Sequence, residues 1–409
     1  MVVQGNLYDA MKSLARILRA LDRCLWVDYI CINQPDLNER SPQVRLMTKI
    51  YQSAAFVWAW LGRPQGCPSG HEAVRSGVSL MKALHEYLGE ATDDGKNYVA
   101  TRASLDPTSF GFPRTPETRL AWTGITEILG LLYWTRTWIY QEASTPVPLA
   151  FTYGGYVFDE HALSATLFIV AEYARFPEFP SQIKRLITGN LSRLLGLKLR
   201  KEANIGEIED ALANQRLTAC ADPREKVFSA VGLYPDGSSL GSSIAIDYTR
   251  PLVDVYIDVM RRSLEARPPR FGILGHVYTP AVDATVSDLR QVQQPAMPSW
   301  VADWRQWVSI SSFSSQTAER LYSAGGRAHA LVDMNITGTR LDVRGSLADQ
   351  VAHLCDIWEN QPYARSIAGE WERGVLDHYP TVSADAIRRA LVANIEGTPF
   401  TAAIPTTIS

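Results

Sequence analysis

Between Leu25 and Gly62 the chain reads LWVDYICINQPDLNERSPQVRLMTKIYQSAAFVWAWLG, two apolar runs separated by a polar loop and a helix-like segment. Leu25, Trp26, Val27, Tyr29, Ile30, Cys31 and Ile32 are almost continuously apolar, which predicts a strand covered on both faces and ended by Pro35. Ser41 then suits an N-cap and Pro42 the first helical position, where a missing N–H is harmless. Val44, Met47, Ile50, Tyr51 and Ala54 recur on one face of the helix that follows. Phe56 to Leu61 reads as a second buried strand closed by Gly62, so the unit is β-loop-α-β. Asp28 is the anomaly, because an ionised carboxylate in a buried strand needs a partner or water. Two readings fit it: a carboxylate that fastens the neighbouring loop through backbone N–H groups, or a ligand-binding or catalytic group.

Upstream, Asn6 is placed to cap a helix through about Leu21 with Leu7, Ala10, Met11, Leu14, Ile17 and Leu18 on its apolar face. Downstream, residues 62–76 form a Gly- and Pro-containing connection, Val78 to Leu88 a helix, and the loop-rich stretch to Glu117 a surface excursion. Residues 118–133 read as an apolar helix and Thr137 to Tyr140 as a short strand with Gln141 and Glu142 at its carboxyl end. Ligands of open parallel sheets gather outside strand carboxyl ends, so Asn33, Gln34, Arg136 and Glu142 would line one cleft. Alternatively, Arg136 and Glu142 partner Asp28, Arg40 or Glu39 in an ionic network.

Ala150 to Tyr153 is a further strand candidate, and Asp159 caps a helix to about Ala174. The basic run containing Arg185, Arg193, Lys198, Arg200 and Lys201 is interleaved with leucines and reads as a solvated amphipathic helix. Asp222, Pro223 and Glu225 match the N-cap, N1 and N3 positions of a helix to Gly232, with Arg224 and Lys226 turned to solvent or to a neighbouring carboxylate. Helices are expected from Pro251 to about Leu264 and from Ala384 to Glu396, and a strand from Arg340 to Arg344. Trp300, Trp304 and Trp307 suit a core plug better than a ligand cage.

Three blocks carry a family resemblance: LWVDYICINQ with NERSPQVRLMTKIYQSA and VWAWLG, then WTRTWIYQEA at 134–143, then DPREKVFSAVGL at 222–233. In order and spacing they resemble the heterokaryon incompatibility domain of filamentous fungi, and PSWVADWR at 298–305 resembles a segment of the extended family. The resemblance implies that the motif positions Asp28, Asn33, Gln34, Glu39, Arg40, Gln43, Arg136, Trp138, Gln141, Glu142, Asp222, Arg224 and Lys226 matter. It implies an α/β fold, a mostly parallel sheet flanked by helices of the Toll/interleukin-1 receptor type, over residues 1–250, with an insertion near 63–118. A smaller α+β region over 251–409 would follow. The family's usual first strand precedes the helix at Asn6, so the chain is expected to lack it. The implied function is an effector of non-self recognition that triggers programmed cell death, with a protein partner or self-association. The alternatives are an inactive paralogue that acts by pairing and an NAD-cleaving enzyme. In the latter Glu142 would stabilise the oxocarbenium-like centre, Asp28 would support the adjacent donors, and NAD would be substrate rather than cofactor.

Composition narrows the remaining classes. The 409 residues carry a formal charge of −3, which argues against a polybasic nucleic-acid or membrane surface. The five cysteines are widely spaced with no paired metal pattern, as in a reduced cytosolic protein, and the seven histidines are scattered. No phosphate-binding G-x-x-x-x-G-K-S/T and no H-E-x-x-H occurs. The N-terminus does not read as a secretory signal, and no uncharged run reaches the ~18 residues of a membrane helix.

Overall fold

The computed structural model describes residues 5–21, 24–64, 70–89, 105–143, 146–183, 208–216, 218–233, 243–266, 270–277, 297–306 and 333–344. The expected basic helix, the closing helix at 384–396, Trp307, Cys67 and Cys355 lie outside them.

Helices dominate these segments. In chain order they are α1 (Gly5–Leu21), α2 (Asp28–Cys31), α3 (Leu37–Ser53), α4 (Gly70–Gly89), α5 (Pro116–Leu129), α6 (Ile139–Ala143), α7 (Glu160–Tyr173), α8 (Ile208–Gln215), α9 (Glu225–Val231) and α10 (Leu252–Glu265). Three strands, β1 (Val57–Gly62), β2 (Leu149–Tyr153) and β3 (Tyr156–Asp159), make one sheet in the order β1-β2-β3. β1 runs parallel to β2, with Val57 opposite Leu149, and β2 runs antiparallel to β3. A separate hairpin pairs β4 (Asp333–Thr337) with β5 (Arg340–Arg344), which includes the strand expected there.

This architecture corrects the expected mostly parallel sheet of Toll/interleukin-1 receptor type. Two of the strands on which that expectation stood are helical. Residues 28–31 turn because Asp28 Oδ1 accepts the Tyr29 N–H at 2.8 Å while the Val27 carbonyl accepts from Ile30 and Cys31. An aspartate that bonds its own backbone in this way favours a turn over a ladder. The apolar run around it is not buried on two faces, since Leu25 and Tyr29 are exposed. The expected strand at 137–140 is reduced to a single bridge between Arg136 and Ala219, and the chain then coils into α6. A short apolar run suits a buried helical turn as well as a strand, which is why periodicity misread both segments. The NAD-cleaving alternative rested on the sheet, and with the sheet it loses its ground.

Elsewhere the expected caps hold only in part. Asn6 lies inside α1, which starts at Gly5, rather than capping it, and its Oδ1 accepts from Trp60 Nε1 at 3.0 Å, docking the helix on β1. α3 begins earlier than expected, because Asp36 rather than Ser41 caps it, accepting from Asn38 at 3.0 Å and Glu39 at 3.4 Å. Pro42 therefore sits inside the helix, and Ser41 Oγ turns to donate to the Leu37 carbonyl at 2.8 Å. Gly154 and Gly155, at φ 59° and 90°, make the two-residue turn between β2 and β3. Asp159 caps α7 by accepting from Ala162 at 2.8 Å, as its position predicts.

The core lies where α4 crosses α5 and packs on α7 and the sheet; Val74, Met81, Leu84, Trp122, Ile125, Ile128, Phe151 and Tyr173 are among its buried residues. The crossing is close because it is made of small residues: a Cβ on Gly77 would stand 2.8 Å from the Ile125 amide nitrogen, and one on Gly124 would strike the Ala73 carbonyl. A further part of the core joins α8, α9 and α10 with Trp304, which is fully buried, whereas Trp300 is half-buried.

Candidate functional site

The three sequence blocks meet on one carboxylate. Glu225, at the start of α9, accepts from Arg40 Nη2 of α3 at 2.6 Å and from Trp138 Nε1 before α6 at 3.0 Å. The Tyr248 hydroxyl lies 3.5 Å from Glu225 Oε1, and the Arg40 guanidinium stacks 3.9 Å from the centroid of the Tyr248 ring. Burial raises the Glu225 carboxyl above its ordinary range, and the Trp138 and Arg40 donors pull it back towards the charged form. Two further bonds seal the same junction: Gln141 Nε2 donates to the Ser229 carbonyl at 3.2 Å, and Thr48 Oγ1 to the Gly232 carbonyl. Gly232 leaves room for this contact, since a Cβ there would displace the Gln141 amide.

The third block differs from its expected capping pattern. Asp222 holds the helix entrance by accepting from the Arg224 N–H at 3.0 Å, and it grips the Arg224 side chain at 2.7 Å. Arg224 is thus paired with a neighbouring carboxylate, as expected, and also donates to the Arg250 carbonyl at 2.8 Å. Glu225 is not a cap; it belongs to the junction described above. Lys226 does not face solvent. It is buried, and its Nζ donates to the carbonyls of Gln215 at 2.7 Å, Arg216 at 3.3 Å and Thr218. The sequence carried one signal for this: a helix of seven residues that is apolar on every side but its charges has to bury some of them.

A second polar group gathers at the surface beside this junction. The Tyr133 hydroxyl donates to Glu142 Oε2, and the Arg136 guanidinium stands 5.8 Å from the Tyr133 ring centroid. Burial and then the charges of Glu142 and Asp28 hold the Tyr51 phenol well above its ordinary pKa. Burial and then Glu142 do the same to Tyr133. Desolvation alone would pull Arg136 down, but Glu142, Tyr133, Asp28 and Tyr51 outweigh it and hold the guanidinium protonated. Asp28, Tyr51, Tyr133, Arg136 and Glu142 therefore form one electrostatic group, carried by α2, α3, the 3-10 turn Leu132–Thr135 and α6. Asp28, Tyr51, Tyr133 and Glu142 are half-buried, and Arg136 is exposed.

Arg136 and Glu142 thus gather around Tyr133, within electrostatic reach of Asp28, while Asn33 and Gln34 make other bonds. Those two close their own loop: the Asn33 N–H donates to Glu39 Oε1 at 2.9 Å, and Gln34 Nε2 to the Asp28 carbonyl at 3.1 Å. Gln43 is half-buried on α3. Sequence reading missed Tyr51 and Tyr133, whose apolar rings counted as helix faces while their hydroxyls serve the polar group. Chemically the group offers two carboxylates, one guanidinium and two neutral phenols at a surface, suited to paired hydrogen bonds with a polar partner. Among the described residues no set of three or more His, Cys, Asp and Glu is placed to hold a metal ion, and no helix is long and apolar enough to cross a membrane.

Comparison with known proteins reaches the first two of the three sequence blocks and stops before the third. Residues 1–142 match the family described as Heterokaryon incompatibility protein. The chain is 44% identical over 69 residues to Heterokaryon incompatibility protein 6, OR allele, of Neurospora crassa. That stretch covers 17% of this chain and 9% of the relative, so the chain spans far less than two thirds of that protein. No solved structure matches. The stretch that supplies Asp28, Arg40, Arg136, Trp138 and Glu142 lies within the residues, 1–142, that match the heterokaryon incompatibility family.

Proposed function

We propose that this chain is an effector of fungal non-self recognition, in which the heterokaryon incompatibility domain turns contact with an incompatible protein, or with a second copy of its own kind, into a cell-death signal. The family match over residues 1–142 carries this reading. The group around Glu142 supports it as the signalling surface, because it collects ionisable and hydrogen-bonding side chains at half-buried and exposed positions. Glu142 is the acceptor at its centre, and Asp28 and Arg136 set the local field.

Inducible expression of the full chain in compatible and incompatible filamentous strains, with soluble protein measured in the same cultures, tests it. Loss of viability at modest soluble levels is expected in at least the incompatible background. Glu142→Gln, which keeps the shape but removes the charge, is expected to restore growth while leaving thermal unfolding within a degree or two of the parent. Growth of every strain with soluble parent protein present would overturn the proposal.

A further inference from the structure

Away from that surface, the chain leaves a set of buried nitrogens without partners. Arg216, just past the end of α8, is 1% exposed; its Nη2 donates to the His276 carbonyl, and its guanidinium lies 4.7 Å from the Trp304 ring centroid. The His276 and Trp304 rings pack with centroids 5.4 Å apart, and both residues are buried. Among the described residues, Arg216 Nε and Nη1, both ring nitrogens of His276 and Trp304 Nε1 find no hydrogen-bond partner. Burial, then Arg216, holds the His276 ring neutral with its pKa at about 4, so it offers one N–H of its own.

The charge is as unbalanced as the hydrogen bonding. Asp303 is the carboxylate that acts on Arg216, but Arg305 already holds both its oxygens, at 2.8 and 2.7 Å. Burial accordingly pulls the Arg216 guanidinium down to about 10. Lys226, the other buried cation nearby, shows the contrast: it is saturated with carbonyl acceptors. A buried donor without an acceptor destabilises the fold, and an unpaired buried charge does so more. Ordered water would satisfy donors but leave the charge unpaired. An oxyanion answers both deficits, because it brings negative charge and only acceptors.

We propose that Arg216, His276 and Trp304 form an internal oxyanion site, taking the carboxylate or phosphate group of a small ligand and tying the end of α8 to the segment around Trp304. The site is separate from the Glu142 group and does not depend on the signalling role proposed for it. Occupancy couples ligand level to folding, since an anion that binds only the folded chain multiplies the folding constant by one plus its concentration over Kd.

Thermal and denaturant unfolding of the full chain, with sodium phosphate or sodium acetate titrated at constant ionic strength against chloride, tests the site. At least one anion is expected to stabilise the chain, each tenfold increase above Kd raising the folding constant about tenfold. Which anion does so identifies phosphate or carboxylate as the group recognised. Arg216→Met is expected to abolish the response, and Trp304→Phe, which keeps the ring and removes one donor, to weaken it severalfold. A flat response to both anions overturns the proposal. So does an undiminished response in Trp304→Phe or Arg216→Met, because stabilisation by general exclusion of salt from the surface needs neither side chain.

Discussion

Arg40 and Glu225 stand 185 residues apart in sequence and 2.6 Å apart in space, with 21% and 9% of their side chains exposed. The pair fastens α3 to α9, and Trp138 completes it from the second block. Removing one member leaves the other charge half-buried and unpaired, which is far worse than removing both. Arg40→Met and Glu225→Gln are each expected to lower stability by about 3 kcal/mol. The double variant is expected to lose less than the two single losses together. Denaturant midpoints of the four proteins check this, and strict additivity would show that the two side chains do not support one another.

Gly232 tests the same junction from its other side. Its backbone is ordinary, at φ −63°, so an alanine there is strained only by what its methyl group would meet, the Gln141 amide and Thr48 Oγ1 at 2.9 Å. Overpacking of this kind costs roughly 1–3 kcal/mol. Gly232→Ala is expected to unfold earlier by that amount, and adding Gln141→Ala is expected to recover part of the loss by vacating the space. If Gly232→Ala matches the parent in its melting temperature, α9 and α6 are not in the contact described here.

Much of this arrangement was legible in the residues alone, and the parts that were not share a cause. Some caps and faces are local events, so Asp159 and the apolar side of α10 read correctly from a few neighbours, whereas Asn6 and Ser41 are not the caps their positions suggested. Residues 25–32 and 137–140 are short apolar runs whose fate depends on what covers them, and there the sheet expectation failed. Asp222 and Glu225 fitted a capping pattern by spacing, yet Glu225 is claimed by Arg40 and Trp138, partners that no local window contains. For the Glu142 group the charged members were named from their motifs. The phenols Tyr51 and Tyr133 were not, because a tyrosine's ring and hydroxyl answer to different environments.

Lys226 offers a test of the burial of α9 that reads out in pH. Burial pulls its ammonium from 10.5 down to about 8, while in the unfolded chain it keeps the ordinary value. Below about pH 8 the group is protonated in both states, and folding bears the full penalty of enclosing the charge. Between about 8 and 10.5 the folded chain sheds the proton and the unfolded chain keeps it, so the unfolded state binds more protons and stability rises with pH. Tyr248 and Tyr256, whose phenols burial holds above the ordinary value, work in the opposite sense above pH 10, so the parent alone would show a mixed curve. Comparison of the parent with Lys226→Met, both in a Cys220→Ser background because burial raises that thiol and its charge interacts with that of Lys226, cancels the tyrosines. The variant lacks the titrating group and leaves the carbonyls of Gln215, Arg216 and Thr218 without their donor, so it is expected to be less stable throughout. The gap in its parent's favour is expected to widen by up to about 3 kcal/mol from pH 8 to 10.5. A gap that stays constant over that range would mean that Lys226 keeps its ordinary pKa in the folded chain, and with it that α9 leaves the ammonium in contact with water.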